Sequence, residues 1–205
     1  RRLFMRPTEE KHCQAREKKP EMPPASIKDL SSVYPRTWAR LPEKTRRELL
    51  RVCREPENLP RLLGSVAEKH GLPEYLQEMA ELEAAMQSCR DEAAEIAGHP
   101  AELCLNPTLS MLHLRCKDLL QLMSPDSDAN SGSPAEEPSR EETDALLWWD
   151  PCRGRVRLEQ ARSEDLLALK MVAEGIEPRE LADDQGLSPS RLYSLLQRAR
   201  SNGLL

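Results

Sequence analysis

The chain is poor in aromatic residues, which make up only 3% of its 205 positions. It also lacks an apolar run long enough to cross a bilayer, and no signal-peptide stretch follows its N-terminus. We therefore expect a cytoplasmic protein with no membrane partner. Hydrophobic residues still reach 39%, so the core must be built largely from Leu, Ala, Val and Met. That composition predicts a mainly α protein with a small β-hairpin or sheet.

Motifs of the common enzyme classes are missing as well. The sequence contains no glycine-rich phosphate loop, no nucleophile elbow and no His-Glu-x-x-His pair. It has only four histidines, and we interpret His113, on a half-apolar strand, as a structural residue. We expect a protein that is not an enzyme and takes no cofactor.

Six cysteines are scattered along the chain without Cys-x-x-Cys spacing. Since no export signal accompanies them, we interpret them as reduced thiols. The nearest approaches to zinc-ligand spacing are His99 with Cys104 and His113 with Cys116, and neither supplies a full ligand set. We predict no metal site.

The chain begins without Met, which we interpret as a trimmed chain or a piece of a longer one. The sequence does not indicate its oligomeric state.

The net charge of -5 is unevenly distributed. Residues 1–70 carry 17 Lys and Arg against 10 Asp and Glu, residues 71–160 carry 7 against 18, and residues 161–205 carry 6 against 7. Nucleic-acid-binding domains are usually basic, because neutralised phosphates supply most of the nonspecific affinity. Only the first third of this chain has that character.

Composition divides the chain into four parts. Residues 1–42 form a basic, proline-rich lead-in that we expect to be extended or partly ordered, and residues 43–123 form a helical domain. Residues 124–144 contain five Ser, three Pro and seven acidic residues, which predicts a flexible acidic linker. Residues 145–205 are predicted to form a hairpin followed by a helix-turn-helix.

The longest regular pattern is PEYLQEMAELEAAMQSCRDEAAEIAG, which predicts one long amphipathic helix. Its Glu and Gln side chains, Glu83 among them, are expected to face solvent. The apolar stripe recurs at spacings of 3 and 4 residues and consists of Met79, Leu82, Met86, Cys89, Ala93 and Ile96.

Behind the linker, ALLWWDPCRGRVRLEQ predicts a hairpin with a strand at 145–149 and a turn at 150–154. Trp148 and Trp149 then lie on opposite faces of the strand. Such a hairpin can accept an added peptide strand. We predict a partner-binding site that includes Trp149, Arg155 and Arg157, whose arginines would hold acidic residues of the ligand.

The C-terminal residues predict three helices. Ser163 is expected to cap the first helix, Pro178 to open the second, and Ser188 with Pro189 to start the third after a Gly-Leu-Ser turn. This order is typical of a helix-turn-helix. The outward residues of the third helix are of types that contact bases and phosphates; they are Ser190, Arg191, Ser194, Gln197 and Arg198.

Three segments carry a resemblance to a known family: GLPEYLQEMAELEAAM, NPTLSMLHLRC and LLWWDPCRGRVRLEQARSEDLLALKMVAEG. They cover roughly residues 71–175 and resemble the family catalogued as a DNA-binding domain of unknown function. Its members include the partner subunit of an iron oxygenase that matures copper-chelating peptides. The resemblance implies a helical N-terminal domain, a small α/β C-terminal domain of winged-helix character, and a catalytically silent protein that holds a peptide or an enzyme. This chain departs from the pattern at Cys116, where an aromatic residue is common, and in its long acidic linker.

Two functions fit these observations. The first is a non-catalytic adaptor that recognises a peptide or protein, such as a peptide-modifying enzyme. The alternative is a helix-turn-helix transcriptional regulator that binds DNA. The acidic body of the chain favours the adaptor.

Overall fold

The computed structural model describes residues 27–96, 103–123 and 138–205. The N-terminal part contains α1 (Ile27–Val33), α2 (Pro35–Arg40), α3 (Glu43–Val52), a 3-10 turn (Pro56–Asn58), α4 (Leu59–His70) and α5 (Tyr75–Glu95). The rest contains β1 (Ser110–Leu114), α6 (Leu119–Leu122), β2 (Thr143–Asp150), β3 (Arg155–Gln160), α7 (Ser163–Glu174), α8 (Pro178–Gln185) and α9 (Pro189–Ser201). The predicted fold class, mainly α with a small sheet, is confirmed.

The three strands form one antiparallel sheet in the order β1-β2-β3. Successive β2 side chains point to opposite faces of the sheet. Ala145 packs into a cluster with residues of α5 and α6, whereas Leu146 and Trp148 pack with residues of α7 and α9. The sheet therefore lies between two helical layers, and β2 is its central strand.

Helix α5 buries two faces. Leu76 and Ala80 belong to the cluster formed by α1–α4, while Met79 and Leu82 belong to the cluster against the sheet. The predicted stripe is the second of these faces, and its C-terminal end leaves the core, since Ile96 is exposed and lies beyond the helix. The helix thus joins the N-terminal bundle to the sheet.

The expectation that Glu83 faces solvent is wrong. Its side chain is buried, and its carboxylate accepts hydrogen bonds from the backbone N–H groups of Arg36 (2.8 Å) and Thr37 (3.1 Å). These N–H groups belong to the first turn of α2, where no partner exists within the helix. Glu83 therefore caps α2 from a neighbouring element.

Residues 27–40 form two short helices, which is more regular structure than the extended or partly ordered lead-in that the prolines predicted. Pro35 is the first residue of α2, a position that a proline tolerates because its missing N–H is not needed there. Tyr34 and Trp38 are buried in the N-terminal cluster. Tertiary packing thus stabilises helices that are too short to be stable alone. The remainder of the predicted lead-in, residues 1–26, lies outside the described residues, as does His99.

The sheet crosses the boundary between the two predicted domains. Strand β1 comes from the part predicted as helical, and it pairs with β2 from Ser110 opposite Leu147 to Leu114 opposite Thr143. How the chain divides into folding units stays a prediction, but both predicted units contribute to one sheet.

The predicted acidic linker is partly structured. Residues 124–137 lie outside the described residues, whereas residues 143–144 belong to β2. The segment before β2 is attached to the β1–α6 connection, because the Lys117 N–H donates to the Glu141 carbonyl (2.8 Å) and the Ser139 hydroxyl donates to the Asp118 carboxylate (2.7 Å). The flexible-linker prediction therefore does not hold for residues 138–144.

The three C-terminal helices lie where the sequence predicts them. A turn at 186–188 connects α8 to α9, and Ser188 caps α9 by accepting a hydrogen bond from the Arg191 N–H (3.3 Å). The inward stripe is buried at Leu192, Leu195 and Ala199. At the start of α7 the prediction is off by one residue, since Arg162 occupies the N-cap and Ser163 is already helical. The winged-helix character of this domain stays a prediction.

Candidate functional site

The turn between β2 and β3 is organised by a buried carboxylate. The Asp150 side chain is only 2% exposed and accepts hydrogen bonds from the backbone N–H groups of Cys152 (3.0 Å) and Arg153 (3.1 Å) and from the Arg153 guanidinium (2.8 Å). Burial acts to raise the pKa of Asp150, but the hydrogen bonds from Arg153 and Cys152, with the Arg153 charge, lower it below its usual value. The carboxylate is thus held ionised at the hairpin turn.

Of the predicted partner-binding residues, Arg157 is engaged inside the protein. Its guanidinium lies 5.0 Å from the centre of the Trp148 ring, pairs with Glu159 and reaches Asp150 at 3.5 Å. Its side chain is only 16% exposed. Arg157 thus covers the indole ring and is poorly placed to meet a ligand.

The other two predicted residues lie on opposite faces of the sheet, since Arg155 pairs with Asp150 and shares the face of Trp148 and Arg157. Trp149 is half-buried on the face of β2 opposite Trp148, and its backbone N–H donates to the Thr108 hydroxyl (2.9 Å). Arg155 is exposed at the start of β3. The structure therefore does not bring the three residues into one site at the hairpin edge.

Hydrogen bonds at the end of the sheet show which backbone groups of β2 point toward which neighbour. In an antiparallel pair, a residue directs both its N–H and its C=O either toward the partner strand or away from it, and the direction alternates along the strand. The Ala161 N–H donates to the Asp144 carbonyl (2.8 Å), so Asp144 points toward β3. The next residue, Ala145, consequently points toward β1.

The same alternation fixes the outer edge of β1. Leu112 is the partner of Ala145 and so faces β2, which leaves Met111 and His113 with their N–H and C=O groups directed away from the sheet. Within the described part of the chain, β1 pairs with β2 alone. Met111 and His113 therefore form an open backbone edge with two donors and two acceptors.

Neighbouring elements close this edge at both ends. Before it, the Leu109 N–H donates to the Asn106 carbonyl (2.9 Å), and beyond it the Arg115 N–H donates to the Glu78 carboxylate of α5 (2.6 Å). Asn106 is itself fixed, since its side-chain amide donates to the Gly203 carbonyl (2.6 Å). The open edge is therefore a short window in an otherwise satisfied strand.

The side chains at the window are exposed. Met111 is 64% exposed, the highest value among the large apolar residues of the described chain. The His113 side chain is 61% exposed, and its Nδ1 lies 3.0 Å from Asp144 and its Nε2 3.7 Å from Glu142. The hydrogen bond with Asp144 is the main reason why the pKa of His113 is raised. Sequence analysis assigned His113 to a strand but could not place that strand at an edge.

A cleft of about 350 Å³ opens at the end of β1 and is lined by residues that include Tyr75, Glu78, Arg115, Cys116 and Arg140. Arg140 bridges to Glu74 (3.0 Å) at its rim. Burial and the neighbouring Glu78 carboxylate raise the pKa of the Cys116 thiol, so it stays protonated at neutral pH and is a poor nucleophile. The cleft has mixed charges and can receive a side chain of a ligand that follows β1.

The predicted nucleic-acid-binding residues lie along α9, but two of them are held by α7. The Arg198 guanidinium contacts Glu164 (2.7 Å) and Asp165 (3.2 Å), and Arg191 contacts Glu164 (3.4 Å). The hydrogen bond from Arg198 is the first cause of the lowered pKa of Glu164. Four of the five residues are exposed, namely Ser190, Arg191, Ser194 and Gln197. Tyr193, which sequence analysis did not select, is also exposed on this helix.

Within residues 27–96, 103–123 and 138–205, no three His, Cys, Asp or Glu side chains are arranged to hold a metal ion. Among the helices of the same residues, none combines the length and the apolar character needed to cross a membrane.

When the chain is compared with models of protein families and with curated proteins, no family model and no curated protein matches it.

Proposed function

We propose that this chain is a non-catalytic adaptor that binds an extended segment of a peptide or protein along the outer edge of β1. The observation that carries the proposal is the open backbone window at Met111 and His113, next to an exposed Met111 side chain. Unpaired edge strands readily add another strand, and native proteins usually cover or charge them. An exposed methionine at such an edge favours binding over protection, because its flexible side chain adapts to different apolar partners.

Strand addition suits the dimensions of this edge. Main-chain hydrogen bonds to the window would provide affinity. One side chain of the ligand would contact Met111, and another would enter the cleft at the end of β1. Helices pack on both faces of the central strand β2, so the ligand would extend an already packed layer.

The alternative, a DNA-binding regulator, rests on the helix-turn-helix arrangement of α8 and α9. The ion pairs of Arg191 and Arg198 with α7 count against it, since contact with phosphates would require both side chains to leave carboxylate partners. The adaptor is therefore the first candidate.

A substitution that removes one backbone donor tests the proposal. A labelled peptide selected from a random displayed library would be titrated by fluorescence anisotropy against wild-type protein and Met111→Pro. Proline tolerates an edge position whose N–H faces outward, so the fold should persist while the added strand loses a hydrogen bond. We expect affinity to fall by about tenfold, which corresponds to about 1.4 kcal/mol.

Two controls match this variant. Met111→Thr keeps the N–H and the strand preference, and Gln160→Pro places the same residue at an outward position of the other edge strand. Gln160→Pro should bind within about twofold of wild type, whereas Met111→Thr, which loses only the apolar side-chain contact, should weaken binding by clearly less than the tenfold expected of Met111→Pro. Wild-type affinity in Met111→Pro would reject the β1 site. Tight, salt-sensitive binding of duplex DNA that is lost in Arg191→Ala/Arg198→Ala would favour the regulator.

A further inference from the structure

A second surface of the molecule is strongly basic. Helix α3 places Lys44, Arg47 and Arg51 on one face, at spacings of three and four residues. Lys69 approaches from the end of α4, and these four side chains line a groove of about 490 Å³ together with Glu48. All four cationic residues are exposed. The groove belongs to α3 and α4, so it is independent of the edge of β1.

Glu48 organises the groove from within. Its carboxylate accepts hydrogen bonds from Lys69 (2.6 Å) and contacts His70 (2.5 Å), which joins α3 to α4. These two partners lower the pKa of Glu48 to about 2, Lys69 being the larger cause. The carboxylate thus stays ionised and fixes the position of Lys69 at the wall of the groove.

The groove keeps an excess of positive charge. Arg47 pairs with Glu43 (3.0 Å) and Lys69 with Glu48. Lys44 and Arg51, in contrast, form no ion pair with any carboxylate of the described residues. Both side chains are exposed at positions seven residues apart on the same face of α3. They are available to an anionic ligand.

We propose that this groove is a docking site for a short acidic segment of a partner protein. Charge complementarity and size both favour such a segment. From Lys44 to Arg51 the helix rises about 10.5 Å, which matches about three residues of an extended chain. Val52, exposed at the end of α3, adds an apolar contact for a flanking side chain of the segment.

Nucleic acid fits the groove less well. Duplex DNA carries its charge over a long, wide surface, whereas the cations of the groove lie within about 10.5 Å along α3 and at the end of α4. A short carboxylate-rich peptide matches a basic surface of that size better than a duplex does.

The test uses fluorescein-labelled hexaglutamate as the probe, titrated by anisotropy at low salt. The groove variant is Lys44→Glu/Arg51→Glu, and the matched control is Arg61→Glu/Arg179→Glu, which reverses two exposed arginines outside the groove and changes the net charge equally. Circular dichroism would verify that both variants are folded. We expect the groove variant to bind at least about tenfold more weakly, and the control within about twofold of wild type.

Three results would overturn the proposal. The first is equal loss of affinity in both variants, which would assign binding to net charge. The second is no binding of hexaglutamate by wild type at low salt. The third is tighter binding of a single-stranded oligonucleotide of equal charge than of hexaglutamate, with that binding abolished in the groove variant. This result would indicate that the groove binds nucleic acid. None of these results depends on Met111, so failure here is distinct from failure of the adaptor proposal.

Discussion

Two buried glutamates of α5 hold backbone amides of other elements. Glu78 accepts a hydrogen bond from the Arg115 N–H after β1, and Glu83 accepts two from the first turn of α2. Buried carboxylates are costly unless such bonds compensate them. In both cases the charge is used to attach a second element to the long helix.

Removing the Glu83 carboxylate should therefore destabilise the protein. Glu83→Ala leaves the Arg36 and Thr37 N–H groups without their partner, and we expect the free energy of unfolding to fall by about 1–3 kcal/mol. Glu81→Ala, at an exposed position of the same helix, should change it by less than about 0.5 kcal/mol. Urea denaturation measures both. Equal effects would mean that the cap on α2 contributes nothing.

Asp150 should make the hairpin sensitive to acid. Its pKa is lowered in the folded state, so the ionised carboxylate stabilises the fold above its unfolded-state pKa of about 3.9, and this stabilisation is lost as the pH falls through the folded-state value. Asp150→Asn should be less stable than wild type at pH 7. The difference in free energy of unfolding should shrink below about pH 4. A difference that grows on acidification would contradict this assignment.

At the scale of elements, α5 offers a graded test of burial along one stripe. Leu82 is fully buried against the sheet, whereas Met86 is only half-buried. Leu82→Ala should cost about 2–5 kcal/mol of unfolding free energy, as buried leucines usually do. Met86→Ala should cost clearly less, since its surroundings already admit solvent. Chemical denaturation of the two variants measures both losses of unfolding free energy. A larger loss in Met86→Ala than in Leu82→Ala would show that the buried stripe of α5 is assigned wrongly.

The sequence predicted those helices whose ends and apolar stripes are specified by residues close together in the chain. The apolar stripe of α5, the Pro178 start of α8 and the Ser188 cap of α9 can all be predicted from neighbouring residues. Helices α1 and α2 could not be predicted, because buried side chains and the distant Glu83 stabilise them. Pairing of β1 with β2 was also missed, since no local pattern specifies which strand lies beside another across a long connection.

The candidate site shows the same division. The sequence predicted that Arg155, Arg157, Arg191 and Arg198 bind a ligand. Three of these four side chains instead form ion pairs with carboxylates of the same protein. Those partners come from β2, β3 and α7 and are identified only when the chain is folded. The open window at Met111 depends on the register between β1 and β2, because the register fixes the direction of each backbone N–H and C=O. The amino-acid types along a strand do not indicate that register.

At the scale of the whole molecule, the shared sheet should keep the two parts of the chain together after cleavage. A protease site inserted between Asn130 and Ser131 would separate β1 from β2 in the chain but not in the sheet. We expect both fragments to elute together in size-exclusion chromatography and to separate in denaturant.

Leu112→Pro provides the matched control for this cleavage. It removes an N–H that faces β2 and should weaken the ladder, so its fragments should separate more readily than those of the cleaved wild type. If the cleaved wild-type protein itself separated into two folded pieces, the two predicted domains would be independent units and the shared sheet would not hold them.

The distribution of tryptophans makes the layered core visible to fluorescence. Trp38 lies in the N-terminal cluster and Trp148 in the cluster beneath α7–α9, and the two clusters lie on different sides of the sheet. The Trp148 indole N–H also donates to the Asn202 carbonyl (3.0 Å), so its emission is sensitive to detachment of the last residues. With Trp149 replaced by Phe, replacing either Trp148 or Trp38 as well would leave one tryptophan on one side of the sheet or on the other, so that unfolding could be followed separately on the two sides.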